Sequence, residues 1–256
     1  MDKPSVARMY DYYLGGQHHT AVDREAGDRM LEAIPTLRQI AHANRAFLRR
    51  VVGHLAAAGV RQFLDIGSGI PASGNVHEVA QAVAPGSHTL YVDLDPEAVA
   101  LSNTLLRGNE DAAAIQADLA TPADILDHPE CERLIDPAKP TALLFLSVLQ
   151  FAPDEDVVPA VRTLRDALAP GSYLALTHPV APPEDDPSAA IRTVYQPTGT
   201  RTVGARSHAQ LLALFGDYVP VAPGLVPVTH WHPDGDPGEA DPRAMPMVAG
   251  LARKPM

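Results

Sequence analysis

The feature that most constrains the fold is a series of short apolar segments, each followed by a pattern typical of a helix. The five predicted strands span residues 62–66, 89–93, 114–117, 142–146 and 173–177. Strands that alternate with helices in this way form a parallel sheet with helices on both faces. Because the pattern starts after Gly59, we predict an α/β fold, with a sheet domain over residues 60–256 and a helical region over residues 1–59.

The N-terminal region contains two predicted helices. The first begins at a Thr20-x-x-Asp23 pattern typical of a capping box, and the second carries a one-sided apolar stripe that ends at Gly59. Residues 4–19 precede both helices and contain three tyrosines followed by two adjacent glycines, which indicates an aromatic arm with a flexible turn. We expect the arm and the helices to form a lid, with the arm gaining order only over an occupied site.

The C-terminal part departs from the alternation of strands and helices. Residues 179–206 are rich in Pro, Asp and Thr and are predicted to form a loop insertion. Two strand patterns follow at residues 225–231 and 245–252, and a turn-rich segment separates them. Because successive strands without an intervening helix form an antiparallel hairpin, we expect the last strand to lie antiparallel at the sheet edge.

Charge and cysteine content exclude several classes of protein. The chain has 31 Asp and Glu against 20 Lys and Arg, and its net charge of -11 repels nucleic-acid phosphates and anionic lipids. Cys131 is the single cysteine, as expected of a protein in a reducing compartment. The longest apolar run, at residues 141–152, is shorter than the ~18 residues that cross a bilayer, and the N-terminal residues lack a signal-peptide core. We therefore expect a cytoplasmic protein with neither a nucleic-acid nor a membrane partner.

The segment from Phe63 to Ala72 reads FLDIGSGIPA, a strand that enters a glycine turn and then a helix. Gly67 and Gly69 permit a ligand to approach the backbone closely, and in a parallel sheet such a site lies at the carboxyl ends of the strands. The spacing also satisfies the dinucleotide pattern G-x-G-x-x-A, which is weak by itself. A simple tight turn with Asp65 as a helix cap is the structural alternative.

Asp65 distinguishes between the candidate ligands. Its carboxylate lies two residues before Gly67, where a dinucleotide would place a doubly negative pyrophosphate, so NAD is disfavoured. S-adenosylmethionine instead carries a sulfonium and an ammonium group, which a nearby carboxylate attracts. We therefore predict S-adenosylmethionine as the cofactor and Asp65 as part of its site.

Polar residues also follow the next three predicted strands. Asp93 ends the second strand and is the better candidate for binding ribose hydroxyls, whereas Asp95 is the better helix cap. Asp118 follows the third strand, where it either accepts from an adenine amino group or remains a solvated carboxylate. Ser147 and Gln150 follow the fourth strand, whose apolar residues belong to the core.

These motifs occur in an order that resembles the class I S-adenosylmethionine-dependent methyltransferases. A strand with its GxG loop, then VDLDP, ADL and the segment 147–151, is similar to that family's usual order. More narrowly, PSVARMYDYYLGG, AHANRAF, QFLDIGSGIP, NVHEVAQ, APGSYLALTH and GLVPVTHWHPDG resemble an actinobacterial S-adenosyl methyltransferase family once called a domain of unknown function. The resemblance implies a Rossmann-like sheet of seven strands with a reversed last strand. It also implies that Gly67, Gly69, Asp93 and Asp118 hold the cofactor.

Together, the residue patterns and the resemblance define one predicted cofactor site. Its members are Asp65, Gly67, Gly69, Asp93, Leu94, Asp118, Leu119, Ser147 and Val148. Two departures from the family pattern lie elsewhere. Relatives usually have Gly-Gly-Lys-Asp-Asn where this chain has GGQHH at residues 15–19, and Leu-His-Phe where it has LQF at residues 149–151. Both places should lie on the side of the reactive group.

The catalytic candidates are residues able to act as a base or to orient an acceptor. They are His18, His19, His178, Gln150 and Tyr13. His178 lies just past a strand and is equally compatible with a structural contact. The tyrosines at positions 10, 12 and 13 fit packing, and also fit stacking on an adenosine.

Two histidine pairs raise the question of a metal site. His18 and His19 are adjacent, and adjacent side chains on an extended segment do not easily reach one ion. His230 and His232 alternate and could do so, but the chain offers no cysteine cluster to complete such a site. We therefore predict no metal site. We interpret His18 and His19 as part of a His-rich turn, and His230 and His232 as a pair at the end of a strand.

The predicted function is a methyltransferase that uses S-adenosylmethionine on a small molecule of actinobacterial specialised metabolism. One alternative is a lyase or cyclase that releases methylthioadenosine and a small cyclic amino acid. Such an enzyme needs a new base but no acceptor pocket, and the departures from the family pattern lie around His18, His19 and Gln150. A second alternative is a cofactor-binding module without turnover. The sequence is also compatible with a homodimer.

Overall fold

The computed structural model describes residues 3–180, 194–198, 204–236, 238 and 245–256. Three helices come first in the chain: α1 (Val6–Tyr13), α2 (Ala21–Ala33) and α3 (Leu37–Ala57). The Ser5 side chain caps α1, and Thr20 with Asp23 forms the capping box that the sequence predicts at α2.

Strands and helices then alternate. The strands are β1 (Gln62–Ile66), β2 (His88–Asp93), β3 (Ala112–Gln116), β4 (Thr141–Leu146), β5 (Tyr173–Pro179), β6 (Val219–Pro220), β7 (Val226–Pro227) and β8 (Met247–Arg253). The helices are α4 (Val76–Val83), α5 (Pro96–Leu105), α6 (Pro122–Leu126), α7 (Pro129–Leu134), α8 (Asp154–Asp166) and α9 (His208–Phe215), with 3-10 turns at Leu149–Phe151, Gln196–Thr198 and Val228–His230. The first five strands agree with their predicted bounds to within two residues at either end.

The strands form one sheet in the order β3-β2-β1-β4-β5-β8-β6, and β7 also pairs with β8. Strands β1 to β5 are parallel, whereas β8 runs antiparallel to β5. This arrangement confirms the predicted α/β fold with an antiparallel last strand. The strand order reverses where β1 lies beside β4, and open α/β sheets bind their ligands at such a point.

Helices cover both faces of the sheet, because alternate strand residues point to opposite sides. Leu64 and Phe145 lie in a buried cluster with residues of α8 and α9. Phe63 and Leu144, one position away on the same strands, lie in a second cluster with residues of α3 and α4. Within the described ranges, no helix combines the length and the apolar character needed to span a bilayer.

Residues 4–19 are not an irregular aromatic arm, because Val6–Tyr13 form the helix α1. Met9 and Tyr13 of α1 are buried in a cluster with Ala26 and Met30 of α2. The prediction failed because the apolar positions of α1 are too few for a core of its own, and their burial depends on the neighbouring helices.

The predicted C-terminal hairpin is shorter than expected. Only Val226–Pro227 of residues 225–231 is a strand, because the chain then turns to bury Trp231 edge-on against Phe47 of α3, with ring centroids 5.2 Å apart. The short strand β6 also pairs with β8, so the sheet has eight strands where seven were expected. Most of the predicted insertion, at residues 181–193 and 199–203, lies outside the described residues.

Asp23 fastens α1 to α2. Its carboxylate accepts hydrogen bonds from Arg8 Nε at 2.7 Å and from the backbone N–H groups of Ser5 at 2.9 Å and Thr20 at 2.7 Å. Burial alone raises the pKa of Asp23, but these hydrogen bonds outweigh burial and hold the pKa below its ordinary value. The ionised carboxylate therefore stabilises the fold above the pKa of an unfolded Asp, and this contribution is lost as the pH falls through the lowered pKa.

We expect Asp23→Asn to lower the free energy of unfolding at pH 7 by roughly 2–3 kcal/mol, because the buried donors lose a charged acceptor. Glu25→Gln removes a charge from the exposed side of α2 and is the matched control. Urea unfolding followed by circular dichroism measures both variants, and equal midpoints would contradict the role of Asp23. The difference in free energy of unfolding between the wild type and Asp23→Asn should decrease as the pH falls below about 3.9, the pKa of an unfolded Asp.

Candidate functional site

A cavity of about 510 Å³ lies at the carboxyl ends of strands β1 to β4. Its volume is within the range of about 300–1,000 Å³ that is typical of small-molecule sites. The loop after β1 and the ends of β2, β3 and β4 form its floor, while the start of α1 and one side of α3 complete the wall. It occupies the edge at which the strand order of the sheet reverses.

The residues predicted to form the cofactor site come together in this cavity. All nine line it: Asp65, Gly67, Gly69, Asp93, Leu94, Asp118, Leu119, Ser147 and Val148. Parallel strands place their carboxyl ends at one edge, so residues from four separate strand ends share a wall.

The loop after β1 depends on glycine at Gly67. This residue has a φ of 72°, and a Cβ there would overlap the side chain of Val148. Its N–H and that of Ser68 both donate to the carbonyl oxygen of Val92, at 2.7 and 3.1 Å. The loop is therefore fixed between the ends of β4 and β2, with its backbone exposed to the cavity.

Asp93 is positioned by the same loop. Its Oδ2 accepts from the N–H of Gly69 at 2.7 Å, and its Oδ1 accepts from the N–H of Asp95 at 2.8 Å. Burial raises the pKa of Asp93, while these two hydrogen bonds oppose the increase. Each carboxylate oxygen retains a second acceptor site, which suits the two hydroxyls of a ribose.

Asp65 is the most deeply buried acid of the cavity wall, with 5% of its surface exposed. Burial raises the pKa of Asp65 to about 7, and the nearby Asp93 adds to the increase while the charge of Arg45 opposes it. It does not cap a helix: the α4 cap is Asn75. The wall thus holds a carboxyl group that a cationic ligand would ionise fully.

Ser147 adopts an uncommon backbone conformation at the end of β4, with a φ of 61°. The Gln150 side chain donates to the Ser147 carbonyl at 2.9 Å and to its hydroxyl at 2.8 Å. Non-glycine residues in the left-handed region concentrate at functional sites, because the surrounding structure must enforce them. Gln150 therefore acts on the cavity indirectly, by holding Ser147.

The predicted lid places residues 4–19 over the site, but the sequence did not indicate which residues of α1 and its N-cap line the cavity. Ser5 and Arg8 line the cavity, the Ser5 hydroxyl donates to Asp95, and the Arg8 guanidinium pairs with Glu97 at the start of α5. These contacts attach the start of α1 to the start of α5, beside the carboxyl end of β2. The available signal was the PSVARMYDYYLGG motif, whose charged residues Arg8 and Asp11 had no predicted role.

Helix α3 supplies the opposite part of the wall, as the predicted helical lid allows, but the sequence did not indicate which of its residues line the cavity. Asn44 is buried, donates to the Tyr10 hydroxyl at 2.8 Å and accepts from the Thr177 hydroxyl at 2.7 Å. Asn44, Tyr10 and the neighbouring Arg45 line the cavity. A signal existed in the AHANRAF motif, where two polar residues interrupt the apolar stripe of α3.

The five catalytic candidates are not among the described residues that line the cavity. The His18 backbone N–H donates to Asp11 Oδ2 at 2.8 Å, and His19 Nδ1 lies 3.0 Å from the same oxygen. Tyr13 is buried between α1 and α2, and burial raises the pKa of its phenol far above the ordinary value. These residues stabilise the N-terminal region, so the expectation that they face a reacting group lacks structural support.

His178 is a structural residue in this arrangement. It is fully buried, with Nε2 2.7 Å from the Arg206 guanidinium and Nδ1 2.7 Å from the Pro179 carbonyl oxygen. Because a guanidinium only donates, Nε2 must accept and Nδ1 must carry the proton. Burial, together with the charge of Arg206, lowers the pKa of His178 to about 4, although the hydrogen bond to the Pro179 carbonyl opposes the decrease.

The described residues contain no group of three or more His, Cys, Asp or Glu side chains placed to hold a metal ion. His230 Nε2 lies 3.2 Å from the Gly238 carbonyl oxygen, and His232 Nε2 lies 3.0 Å from that of Ala222. Each ring of the alternating pair thus contacts its own backbone partner.

Comparisons with known proteins agree with the geometry. A model described as S-adenosyl methyltransferase matches residues 1–255 of the chain. A methyltransferase candidate of known structure from Thermobifida fusca YX is 37% identical, with 99% of this chain and 96% of that chain covered and a TM-score of 0.93. A DUF574 family protein from Streptomyces avermitilis MA-4680 is 40% identical, with 99% and 98% covered and a TM-score of 0.92. A search of curated proteins gave no match.

We expect the His178 imidazole to remain neutral at pH 6 in the folded protein, because protonation would place a second cation against Arg206. Its ring carbon and nitrogen chemical shifts, followed by NMR from pH 8 to 5, should stay constant. The urea-unfolded protein is the reference, in which histidine titrates near about 6.5. Since only the unfolded state binds this proton, His178 should reduce stability as the pH falls from about 6.5 towards 4. A folded-state titration near pH 6.5 would contradict the assigned hydrogen bonds.

Proposed function

The chain belongs to the S-adenosyl methyltransferase family, and from this premise we propose that it transfers the methyl group of S-adenosylmethionine to a small molecule. The observation that carries the proposal is the cavity wall formed by all nine predicted cofactor residues. The net charge of -11 agrees with a small-molecule acceptor rather than a nucleic acid.

The wall has the chemistry that an adenosyl amino acid requires. Asp93 and Asp118 provide carboxylates at the ends of β2 and β3, suited to ribose hydroxyls and to an adenine amino group. The cradle at Gly67, which a Cβ would fill, allows close approach to the backbone. Asp65 provides a buried carboxyl group that a cationic group would ionise. The residues of the cavity wall therefore fit the cofactor.

The chemistry at the site needs orientation more than covalent participation by the protein. S-adenosylmethionine supplies an electrophilic methyl group on a sulfonium. The chain's own residues align an acceptor with this group and exclude water, which accounts for most of the catalysis in such displacements. Asn44 fixes the Tyr10 hydroxyl at the cavity, and Phe151 and Leu48 supply apolar surface beside it.

The lyase alternative has no specific structural support. This alternative depends on the replaced residues around His18, His19 and Gln150, and these three residues lie outside the described lining of the cavity. His19 contacts Asp11, and Gln150 braces Ser147. We therefore retain the methyltransferase as the proposed function.

The wider biological setting is also part of the proposal. The resemblance in sequence supports an acceptor from actinobacterial specialised metabolism. The composition supports a cytoplasmic location, because Cys131 is the single cysteine and is buried. We propose a monomer or homodimer that acts without a nucleic-acid or membrane partner.

We expect Asp93→Ala to weaken S-adenosylmethionine binding by about 10- to 100-fold, since charge-assisted hydrogen bonds contribute about 1.5–3 kcal/mol each. Asp124→Ala removes an exposed carboxylate from α6 and is the matched control. Isothermal titration calorimetry measures both affinities. Equal affinities in two folded variants would remove Asp93 from the cofactor site.

The reaction class is tested by mass spectrometry after incubation of the wild-type protein with S-adenosylmethionine alone. We expect the cofactor to remain intact until an acceptor is added, and then to be converted to S-adenosylhomocysteine. Release of methylthioadenosine without an acceptor would establish the lyase instead. NAD serves as the comparison ligand, and its tight binding would contradict the cofactor assignment.

A further inference from the structure

We propose that the Ser147 hydroxyl and the Asn44 amide donate hydrogen bonds to the methyl acceptor, and that this acceptor is a neutral aromatic molecule with a carbonyl oxygen. The inference rests on the proposed function, because it concerns the second substrate of the same cavity. The glycines and carboxylates that suit the cofactor lie at the ends of β1, β2 and β3. Ser147 follows β4, and the sheet order places β4 beyond β1, so the acceptor lies next to the cofactor along the same edge.

The Ser147 hydroxyl is a hydrogen-bond donor that is available to a ligand. The Ser147 carbonyl oxygen can only accept, so the group of Gln150 that lies 2.9 Å from it is the amide nitrogen. The same nitrogen lies 2.8 Å from Ser147 Oγ and donates its second hydrogen to that oxygen. Among the described residues, the hydroxyl hydrogen of Ser147 therefore has no acceptor. Because Ser147 lines the cavity, this hydrogen is available to a bound molecule.

A backbone carbonyl also fixes the orientation of the Asn44 amide. The Tyr10 hydroxyl donates to the Ala41 carbonyl oxygen at 3.2 Å, so it accepts from Asn44 at 2.8 Å. The Asn44 nitrogen thus faces Tyr10, and its oxygen accepts from the Thr177 hydroxyl at 2.7 Å. Described residues use only one of the two amide hydrogens. Asn44 lines the cavity with 3% of its surface exposed, so the second hydrogen is a buried donor that a ligand can satisfy.

Thr177 of β5 brings the two donors together. Its carbonyl oxygen accepts from the Ser147 N–H at 3.3 Å, and its hydroxyl donates to the Asn44 side chain. Thr177 is fully buried, so water does not compete for either contact. The two donors therefore share one buried anchor beside the cavity that both of them line. A carbonyl oxygen carries two lone pairs and can accept from both donors.

The surroundings of the two donors determine the class of acceptor. Both donors are uncharged, and within the described ranges no cationic side chain forms a hydrogen bond with either. A carboxylate would exchange the solvation of a full charge for two neutral hydrogen bonds, so a neutral carbonyl group is favoured. Phe151 and Tyr10 present aromatic rings to the same cavity, and Tyr195 holds Phe151 through an edge contact with ring centroids 5.3 Å apart. These rings favour a planar, aromatic acceptor.

The experiment compares two probes on the full chain saturated with S-adenosylhomocysteine, at a pH below the pKa values of both probes. 4-Hydroxyacetophenone has the proposed carbonyl group, and 4-ethylphenol has a methylene group in its place. Titrations followed by NMR chemical shifts give the two dissociation constants. We expect the wild type to bind the ketone at least about fivefold more tightly, although 4-ethylphenol is the more apolar molecule. Equal affinities, a preference for 4-ethylphenol, or binding of neither probe would overturn the proposal.

Two variants test the donors separately. Ser147→Ala removes the hydroxyl but keeps the carbonyl oxygen to which Gln150 donates. In Ser147→Ala and in Asn44→Ala, we expect the ketone to bind about 3- to 10-fold more weakly and 4-ethylphenol to change by less than about twofold. Ser73→Ala is the matched control, because Ser73 is exposed and does not line the cavity.

The preference for the ketone separates a contact with the acceptor from general support of the fold. Equal weakening of both probes in either variant, or a full preference that survives in either variant, would overturn the proposal. Failure of the wild type to bind S-adenosylhomocysteine would instead reject the proposed function, and this inference with it.

Discussion

The close approach of Gly67 to Val148 is the constraint on which the rest of the site depends. Because no side chain fits between them, the chain leaving β1 passes directly over the end of β4. It then turns to the other neighbour of β1, where Gly67 and Ser68 donate to Val92 and Gly69 donates to Asp93. One loop thus contacts three adjacent strand ends, through the Val148 side chain, the Val92 carbonyl oxygen and the Asp93 carboxylate. The absence of a side chain at Gly67 and the backbone N–H groups of the loop consequently set the shape of this part of the cavity floor.

The N-terminal helices convert this floor into an enclosed cavity. Helix α3 presents Asn44, Arg45 and Leu48 to the cavity, while Phe47 and Val51 of the same helix pack on the sheet. Helix α1 and its N-cap are attached to α2 through Asp23, to α3 through the hydroxyl of Tyr10, and to α5 through Asp95 and Glu97. The buried pair with Asp23 contributes to stability, whereas the pair with the exposed Glu97 contributes little. The position of α1 over the cavity therefore depends more on its buried contacts than on its exposed ion pair.

The residues predicted to hold a cofactor meet in one cavity, whereas the catalytic candidates are not among its described lining residues, and this difference has a physical reason. Strand ends and glycine turns are local patterns, so residues such as Gly67, Asp93 and Asp118 could be placed from their neighbours in the chain. The role of His178 depends on Arg206, which lies 28 residues away and occupies the nitrogen that a base would need. The burial of α1 and the shortening of the last hairpin likewise depend on contacts between distant segments, which no local pattern reports.

The charges of the cavity wall also bear on the release of product. The described acidic residues of the wall are Asp65, Asp93, Asp95, Glu97 and Asp118, and the basic ones are Lys3, Arg8 and Arg45. The wall is therefore net negative and attracts cations. S-adenosylmethionine carries one positive charge more than S-adenosylhomocysteine, because methyl transfer converts the sulfonium to a neutral thioether. The negative wall therefore attracts S-adenosylmethionine more strongly than S-adenosylhomocysteine. This difference in electrostatic attraction is larger in a partly desolvated cavity than in water.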